Sequence, residues 1–353
     1  MKRFLTDIFY FTSFVIVVLL FIEIIVPENA ITHSPLEANK VKSKDLFVGP
    51  FYPNNKMIRD GYGDLAHHTK HAILKKDIVW DTDELGFRNK HVIEFPDVIF
   101  LGTSNIAGYS TSQEQNISNQ VSHLTGLSTY NIAPYSFDKF TQLLDAQIIN
   151  KPKILVYGLI ERGLPFLPEI KQPNSGIKNL FLKLKNTTIF NGLARCIDIP
   201  AKRSFQRFII ARINKATGNG IQSDINKKMF FFQGKYSKID ATDEVVQRTA
   251  DVISLYRDYC KEKGIEFVFF PIPNKETLYY ELIPFEEQPS YLNKLYTELK
   301  KRDIHTINTL EVFNQEKQKQ LLYHFDDTHW NVNGIAIAAK DIAKCITNLS
   351  TKQ

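Results

Sequence analysis

Five short apolar runs, alternating with stretches of helical spacing, constrain this chain more than any other feature. "DVIFLG" (97–102), "STYNIAP" (128–134), "KILVYGLI" (153–160), "IEFVFFPIP" (265–273) and "IHTINTL" (304–310) read as strands. "NISNQVSHLTG" (116–126), "FDKFTQLLDAQIIN" (137–150), "TDEVVQRTADVISLYRDYCKEKG" (242–264), "YLNKLYTELKKRD" (291–303) and "NVNGIAIAAKDIAKCITNL" (331–349) read as helices. In the third of these, Val245, Ala250, Ile253, Tyr256 and Cys260 recur at helical spacing, with Thr242 placed to cap the start and Gly264 the end. Alternation of this kind predicts an α/β fold with a parallel sheet of about five strands and crossover helices. It begins near residue 75 and breaks over 163–240, a stretch rich in proline, lysine and phenylalanine that reads as an insertion. Within it "NLFLKLKN" (179–186) alternates Leu and Phe with Lys. That fits a half-buried strand or a surface-seeking segment, a solvated edge of the domain being the preferred reading. A chain of 353 residues that is 43% hydrophobic has ample material for one elaborated domain of this type.

The N-terminus carries a different signal. Lys2 and Arg3 precede a mostly apolar run from Phe4 to Val26, interrupted by Asp7 and Glu23. A bilayer-crossing helix needs about 20 such residues, and the basic pair favours a cytoplasmic N-terminus. The run ends in bulky Ile24, Ile25 and Val26 before Pro27, unlike the small residues of a cleavage site. The expectation is an uncleaved signal anchor at 1–26, an extracytoplasmic tether at 27–75 with Pro27, Pro35, Pro50 and Pro53, and the folded domain at 76–353 outside the cytoplasm.

The charge balance, Lys+Arg 44 against Asp+Glu 38, is mildly basic, with lysines scattered and no nucleic-acid reading module, so a nucleic-acid partner is not expected. A basic face near anionic lipid or an acidic glycan fits equally. Cys196, Cys260 and Cys345 are too far apart for a zinc motif. His67 and His71 in "HHTKH" stand at i,i+4 with no third ligand nearby, so no metal is expected. "GNG" (218–220) reads as a turn, without the strand, helix and lysine of a phosphate loop.

Two stretches carry chemistry. Ser104 lies two residues beyond Gly102 at the carboxyl end of the first strand, where ligands bind in open α/β sheets. There its hydroxyl could act as a nucleophile and its N–H could face a developing oxyanion. In "YHFDDTHWNVNG" (323–334), His329 precedes the last helix and follows Asp326 and Asp327. A serine needs a base, and the base needs an acceptor that fixes its tautomer.

"FLGTSNIAG" resembles the first block of the SGNH/GDSL hydrolase superfamily, and "DDTHWNVNG" resembles its last. The D-T-H-W form is similar to the alginate O-acetyltransferase type of SGNH-like acyltransferase. "DELGFRN" (83–89), "LIERGL" (159–164) and "PIPNKETLYYELIP" (271–284) resemble further elements of those envelope enzymes, in the order of an unpermuted domain. The resemblance implies a three-layer α/β/α domain with Ser104 as nucleophile, His329 as general base and Asp326 or Asp327 as its orienter. The superfamily's D-x-x-H spacing favours Asp326, the reading preferred here, and the D-T-H-W form favours Asp327. Gly102, Asn105, Ser136 and Arg162 are the candidates for oxyanion or substrate binding. The chain departs from the pattern in three places: Thr103 replaces the usual Asp, Ser136 falls near the second-block glycine, and "GLIER" lacks the third-block asparagine. In the alginate enzymes, moreover, the D-T-H-W segment precedes the serine, whereas here it follows.

The function so implied is a membrane-anchored O-acyltransferase, in the first instance an O-acetyltransferase, acting on a cell-envelope or exported polysaccharide through an acyl-serine. The chemistry calls for no metal or soluble cofactor. A multipass membrane O-acyltransferase would be the partner that delivers the acyl group. The alternatives are an esterase that uses water as acceptor, or a catalytically inactive polysaccharide-binding or assembly protein.

Overall fold

The computed structural model describes residues 2–25, 32–67, 69–170, 176–202, 220–232, 239, 241–284 and 287–350. The chain begins with a 24-residue helix, α1 (Lys2–Ile25), and a short α2 (Pro35–Asn39), followed by an antiparallel hairpin of β1 (Lys56–Gly61) and β2 (Lys75–Asp81). Next come β3 (Val98–Gly102), the one-turn α3 (Ser104–Ala107), α4 (Ile117–Thr125), β4 (Thr129–Asn131), α5 (Phe137–Asp145) and β5 (Ile154–Ile160). The insertion supplies α6 (Gly176–Lys185), α7 (Thr188–Lys202) and a second hairpin, β6 (Gly220–Gln222) with β7 (Phe230–Phe232). The chain closes with α8 (Asp243–Glu262), β8 (Glu266–Ile272), α9 (Lys275–Leu278), α10 (Tyr291–Lys301), α11 (Thr309–Glu316) and α12 (Val332–Ser350).

The main sheet has four parallel strands in the order β4-β3-β5-β8. Every residue of β3 and β5 is buried, as the unbroken apolar runs of a sheet covered on both faces require. Helix ends follow their caps. The Asn116 side chain accepts the Asn119 N–H at 2.9 Å to start α4, and Gly126, in the left-handed region at φ 72°, ends it.

Three expectations are corrected. The run at 304–310 is not a fifth strand. It makes one parallel bridge, Thr306 to Phe269, and Asn308 then caps α11 by accepting the Glu311 N–H at 3.2 Å. Helix initiation thus ends the pairing almost as soon as it starts. "NLFLKLKN" is not the half-buried strand of the alternative reading: it is helical through Lys185 in α6, with Leu182 turned inward and Leu180, Phe181 and Leu184 exposed to solvent. The stretch read as a tether is, over 32–61, folded onto the domain: Leu36, Val48 and Phe51 join the main core. Its prolines break periodicity without preventing burial.

Among the described residues no helix is long and apolar enough to cross a membrane. The side chains of α1 beyond Val18 lie outside the described residues, as do Gly218 and Asn219 of "GNG".

Candidate active site

The turn out of β3 depends on a glycine. Gly102 has φ +145°, and a Cβ there would stand 1.8 Å from the Gly158 carbonyl oxygen of β5. Thr103 then donates its N–H to that same oxygen at 3.2 Å, and its own carbonyl accepts Ile106 and Ala107 N–H at 3.0 and 3.1 Å. Ser104 therefore becomes the first residue of α3, half-buried at the carboxyl end of the strand. The N–H groups of Ser104 and Asn105 have no acceptor among the described residues, as the first turn of a helix dictates.

The segment before α12 supplies the partners. His329 Nε2 lies 2.7 Å from Ser104 Oγ, and His329 Nδ1 lies 2.6 Å from Asp327 Oδ1. Asp327 is fully buried and also accepts the His329 N–H at 3.1 Å and the Ser110 hydroxyl at 2.5 Å. Burial alone would raise its carboxyl, but the facing imidazole outweighs that and holds it well below the ordinary value. A serine, an imidazole and a buried carboxylate thus form one continuous hydrogen-bonded chain.

Asp326, the preferred orienter on spacing, faces the other way. Its Oδ2 accepts the N–H of Gly63 and of Ile73, both at 3.0 Å, and its Oδ1 takes Lys75 Nζ at 3.1 Å. Asp326 lies in a turn and is held by Gly63, Ile73 and Lys75, so Asp327 is the one of the pair that reaches the imidazole. Gly63 packs so closely that an added Cβ would lie 2.1 Å from the Asp326 carbonyl oxygen.

Asp64, which the sequence did not single out, joins the site from the same N-terminal segment. It accepts Thr328 N–H at 2.7 Å and Thr328 Oγ1–H at 2.6 Å, and its Oδ2 lies 3.7 Å from His329 Nδ1. Burial, then the neighbouring Asp327 charge, raise its carboxyl to about 6. Ligand atoms of Asp64, Asp327 and His329 lie within 4.8 Å of one another. Those atoms are already engaged: one imidazole nitrogen faces Asp327, the other Ser104, and the Asp64 carboxylate accepts from Thr328. His67 and His71 do not form a pair: His67 stacks on His33 at 3.8 Å, and His71 lies against Phe230.

A second polar chain runs behind the base. Tyr109 stacks on His329, and its hydroxyl meets His33 Nε2 at 2.8 Å, whose Nδ1 lies 2.9 Å from Glu37. Burial would raise Glu37, but the His33 contacts hold it below the ordinary value. Buried Arg88, from "DELGFRN", fixes the loop that carries Tyr109 and Ser110. It donates to the carbonyls of Ala107 at 2.7 Å and Thr111 at 2.6 Å, and to that of Gly108. Tyr109 and Ser110 stand five and six residues after Ser104, close enough in sequence to have been noticed.

Lys275, buried at the start of α9, donates to the carbonyls of His324 (2.6 Å), Phe325 (3.0 Å) and Asp327 (3.1 Å). Burial lowers its ammonium to about 8. It holds the acid loop from below as Lys75 does from the side.

The remaining candidates are placed differently. Asn105 is buried beside Ser104 with neither side-chain polar atom hydrogen-bonded. Ser136 is exposed at the start of α5 and makes no hydrogen bond to the triad. Arg162 Nη1 approaches Asn274 Oδ1 at 3.5 Å and its guanidinium lies over Phe232, away from Ser104 in its contacts. Its neighbour Glu161 accepts the Asn274 N–H at 2.8 Å and is raised to about 7 by burial. An apolar cavity of about 350 Å³, between the β6–β7 hairpin and residues 282–284, has Glu276 in its wall and no triad residue.

Residues 227–353 match the family described as SGNH hydrolase-like domain, acetyltransferase AlgX. The match takes in Lys275, Asp327 and His329 and begins after Ser104. No curated protein matches the chain. Several solved structures overlap it loosely, these two among them. One is a G-D-S-L family lipolytic protein from Desulfitobacterium hafniense DCB-2, 7% identical, covering 70% of this chain and 99% of its own, with a TM-score of 0.36. The other is the salicylyl-acyltransferase SsfX3 from a tetracycline biosynthetic pathway, 12% identical, covering 79% of this chain and 58% of its own, also with a TM-score of 0.36. Scores this low bear on neither fold nor activity. The family match and the described α/β fold agree: over residues 227–353 the chain is similar to the SGNH hydrolase-like domain of the AlgX acetyltransferase, and its parallel sheet suits such a domain.

Proposed function

We propose that the protein is a membrane-tethered O-acetyltransferase that esterifies hydroxyl groups of a cell-envelope or exported polysaccharide. The observation that carries the reading is the Ser104–His329–Asp327 chain, with contacts of 2.7 and 2.6 Å. His329 Nε2 takes the Ser104 proton as Oγ attacks the carbonyl carbon of an acyl donor. The tetrahedral oxyanion is met by the N–H groups of Ser104 and Asn105. Collapse breaks the bond to the donor's leaving oxygen, which receives the proton from His329. The acceptor hydroxyl then gives its proton to His329 and attacks the acyl-serine. Ser104 recovers the proton when the second intermediate collapses. Asp327 stays ionised throughout and stabilises the imidazolium, consistent with its lowered carboxyl.

The acetyltransferase character of the matched family favours a sugar hydroxyl over water as acceptor. The tether rests on the sequence of the mostly apolar run at 4–26, part of which lies beyond the described residues among which no membrane-crossing helix is found. An acetyl donor outside the cytoplasm then calls for a multipass membrane partner to deliver it. The test incubates the purified chain with a small acetyl ester and oligosaccharide acceptors. Acetylated product from wild type and none from Ser104→Ala is expected. Hydrolysis without transfer across a panel of acceptors would assign the site to an esterase. Transfer unchanged in Ser104→Ala would remove Ser104 from the chemistry.

A further inference from the structure

Helix α7 meets the domain through one face and leaves the opposite face bare. Ala194 is buried with Val41, Phe47 and Tyr52, and Phe190 and Ile199 pack alongside. Asp198 locks this face by accepting the N–H groups of Lys42 and Ser43, at 3.0 and 2.6 Å, and the Tyr52 hydroxyl at 2.7 Å. Ile189, Leu193 and Ile197 recur at i, i+4 and i+8 on the other side, each more than 60% exposed. Leu180, Phe181 and Leu184 of α6, which packs against α7, add three more exposed apolar side chains. An apolar face turned away from a core and carried by two adjacent helices is an interaction surface.

Charge and the neighbouring helix say what covers it. The charged residues of α6 are Lys178, Lys183 and Lys185, with no acid. The single acid of α7, Asp198, is buried and bonded inward. Arg195 is turned to the domain, over the Tyr52 ring. Large apolar side chains bordered by lysines alone are the pattern of helices that lie in a membrane interface, with cations at the level of anionic headgroups. Beside α7 packs α1, whose side chains Phe9, Phe11, Phe14 and Val17 are likewise apolar and exposed.

We infer that the α6–α7 hairpin lies on an anionic lipid bilayer, with Leu180, Phe181, Leu184, Ile189, Leu193 and Ile197 dipping below the headgroups. This rests on the membrane-tethered reading and adds to it a second contact, which fixes the orientation of the domain instead of leaving it to swing from α1.

Cys196 makes the surface testable. It is exposed on α7 beside Ile197, whereas Cys260 is buried and Cys345 partly so. The full chain is labelled there with an environment-sensitive fluorophore and reconstituted into phosphatidylcholine vesicles with or without phosphatidylglycerol. The expected result is a blue-shifted emission quenched by brominated lipid acyl chains, more strongly with phosphatidylglycerol. The double variant L193D/I197D should lose that quenching several-fold while still co-floating with the vesicles. Co-flotation reports α1 and quenching reports α7, so the two can fail separately. A wild-type label quenched by aqueous iodide and indifferent to brominated lipid would overturn the inference. So would a blue shift that appears without lipid and grows with protein concentration, which would mark a face between two copies of the chain.

Discussion

The Tyr109 ring lies flat on the His329 imidazole, with centroids 4.1 Å apart and planes within 1° of parallel. The hydrogen bond that His329 Nδ1–H donates to Asp327 fixes one edge of the imidazole but leaves the ring free to rotate about it. The stacked phenol fixes the plane, and the His33 contact at the Tyr109 hydroxyl fixes the phenol. Tyr109 is a positioning residue for the base. Tyr109→Ala should lower kcat about 100-fold, the cost of misplacing a reacting group by about 1 Å, with little change in KM. Tyr109→Phe keeps the stack and should restore most of kcat. Equal losses in the two variants would show that the ring plane does not matter.

The two aspartates should separate cleanly. Asp327→Asn places an amide where His329 Nδ1 needs an acceptor, and kcat should fall by about 10⁴-fold, the penalty for a wrong tautomer. Asp326→Asn leaves the triad in place but weakens the hold on Lys75, Gly63 and Ile73. It should lower stability by about 1–3 kcal/mol and keep kcat within roughly tenfold. Melting curves and single-turnover rates on the same preparations distinguish the two, and the reverse ranking would make Asp326 the orienter.

Asp64 sets a pH dependence of stability with a definite sign. Its carboxyl is raised from 3.8 to about 6 in the folded chain, so between those values the folded state binds more proton than the unfolded. Its contribution is therefore fully present below pH 3.8 and lost as pH rises through about 6. Asn at this position does not titrate. The melting temperature of Asp64→Asn minus that of wild type should climb from pH 4 to pH 6.5. A flat difference would mean that Asp64 titrates as an ordinary carboxyl.

Lys275 should be a stability residue. Lys275→Met leaves the carbonyls of His324 and Asp327 without their donor, while that of Phe325 keeps the Phe230 N–H at 2.8 Å. Each unsatisfied buried group costs about 1–3 kcal/mol, so the domain should melt well below wild type. Calorimetry decides the point, and an unchanged melting temperature would show that water or the backbone takes over those contacts.

Much of this fold was legible because its strands are buried on both faces. Val98–Gly102 and Ile154–Ile160 have no polar interruption, and such runs announce themselves. Ser104 and His329 were legible for a related reason, each standing at a boundary between elements. The choice between Asp326 and Asp327 was not legible. It is made by Gly63, Ile73 and Lys75, some 250 residues away, which capture the first aspartate and leave the second to the imidazole. Asp64 was hidden for the same reason, because its role is defined by a loop that local spacing cannot bring near. The prolines of residues 32–61 suggested a loose segment, yet Phe51 and Trp80 pack edge to face in the core. The Leu–Lys alternation of 179–186 has the period of a strand. With no partner strand beside it among the described residues, the segment takes the helix its Leu and Lys residues also favour.

The grip of Gly63, Ile73 and Lys75 on Asp326 makes one piece of chain both leash and latch. The segment that leads from α1 to the sheet also holds the acid loop in register with Ser104. Cleavage between residues 62 and 75 would divide that grip and sever the leash in one cut. A cut on the α1 side of His33 would leave that grip, and the His33 contact to Tyr109, whole. Separation from α1 therefore spares the catalytic geometry only where it falls ahead of the segment that builds it.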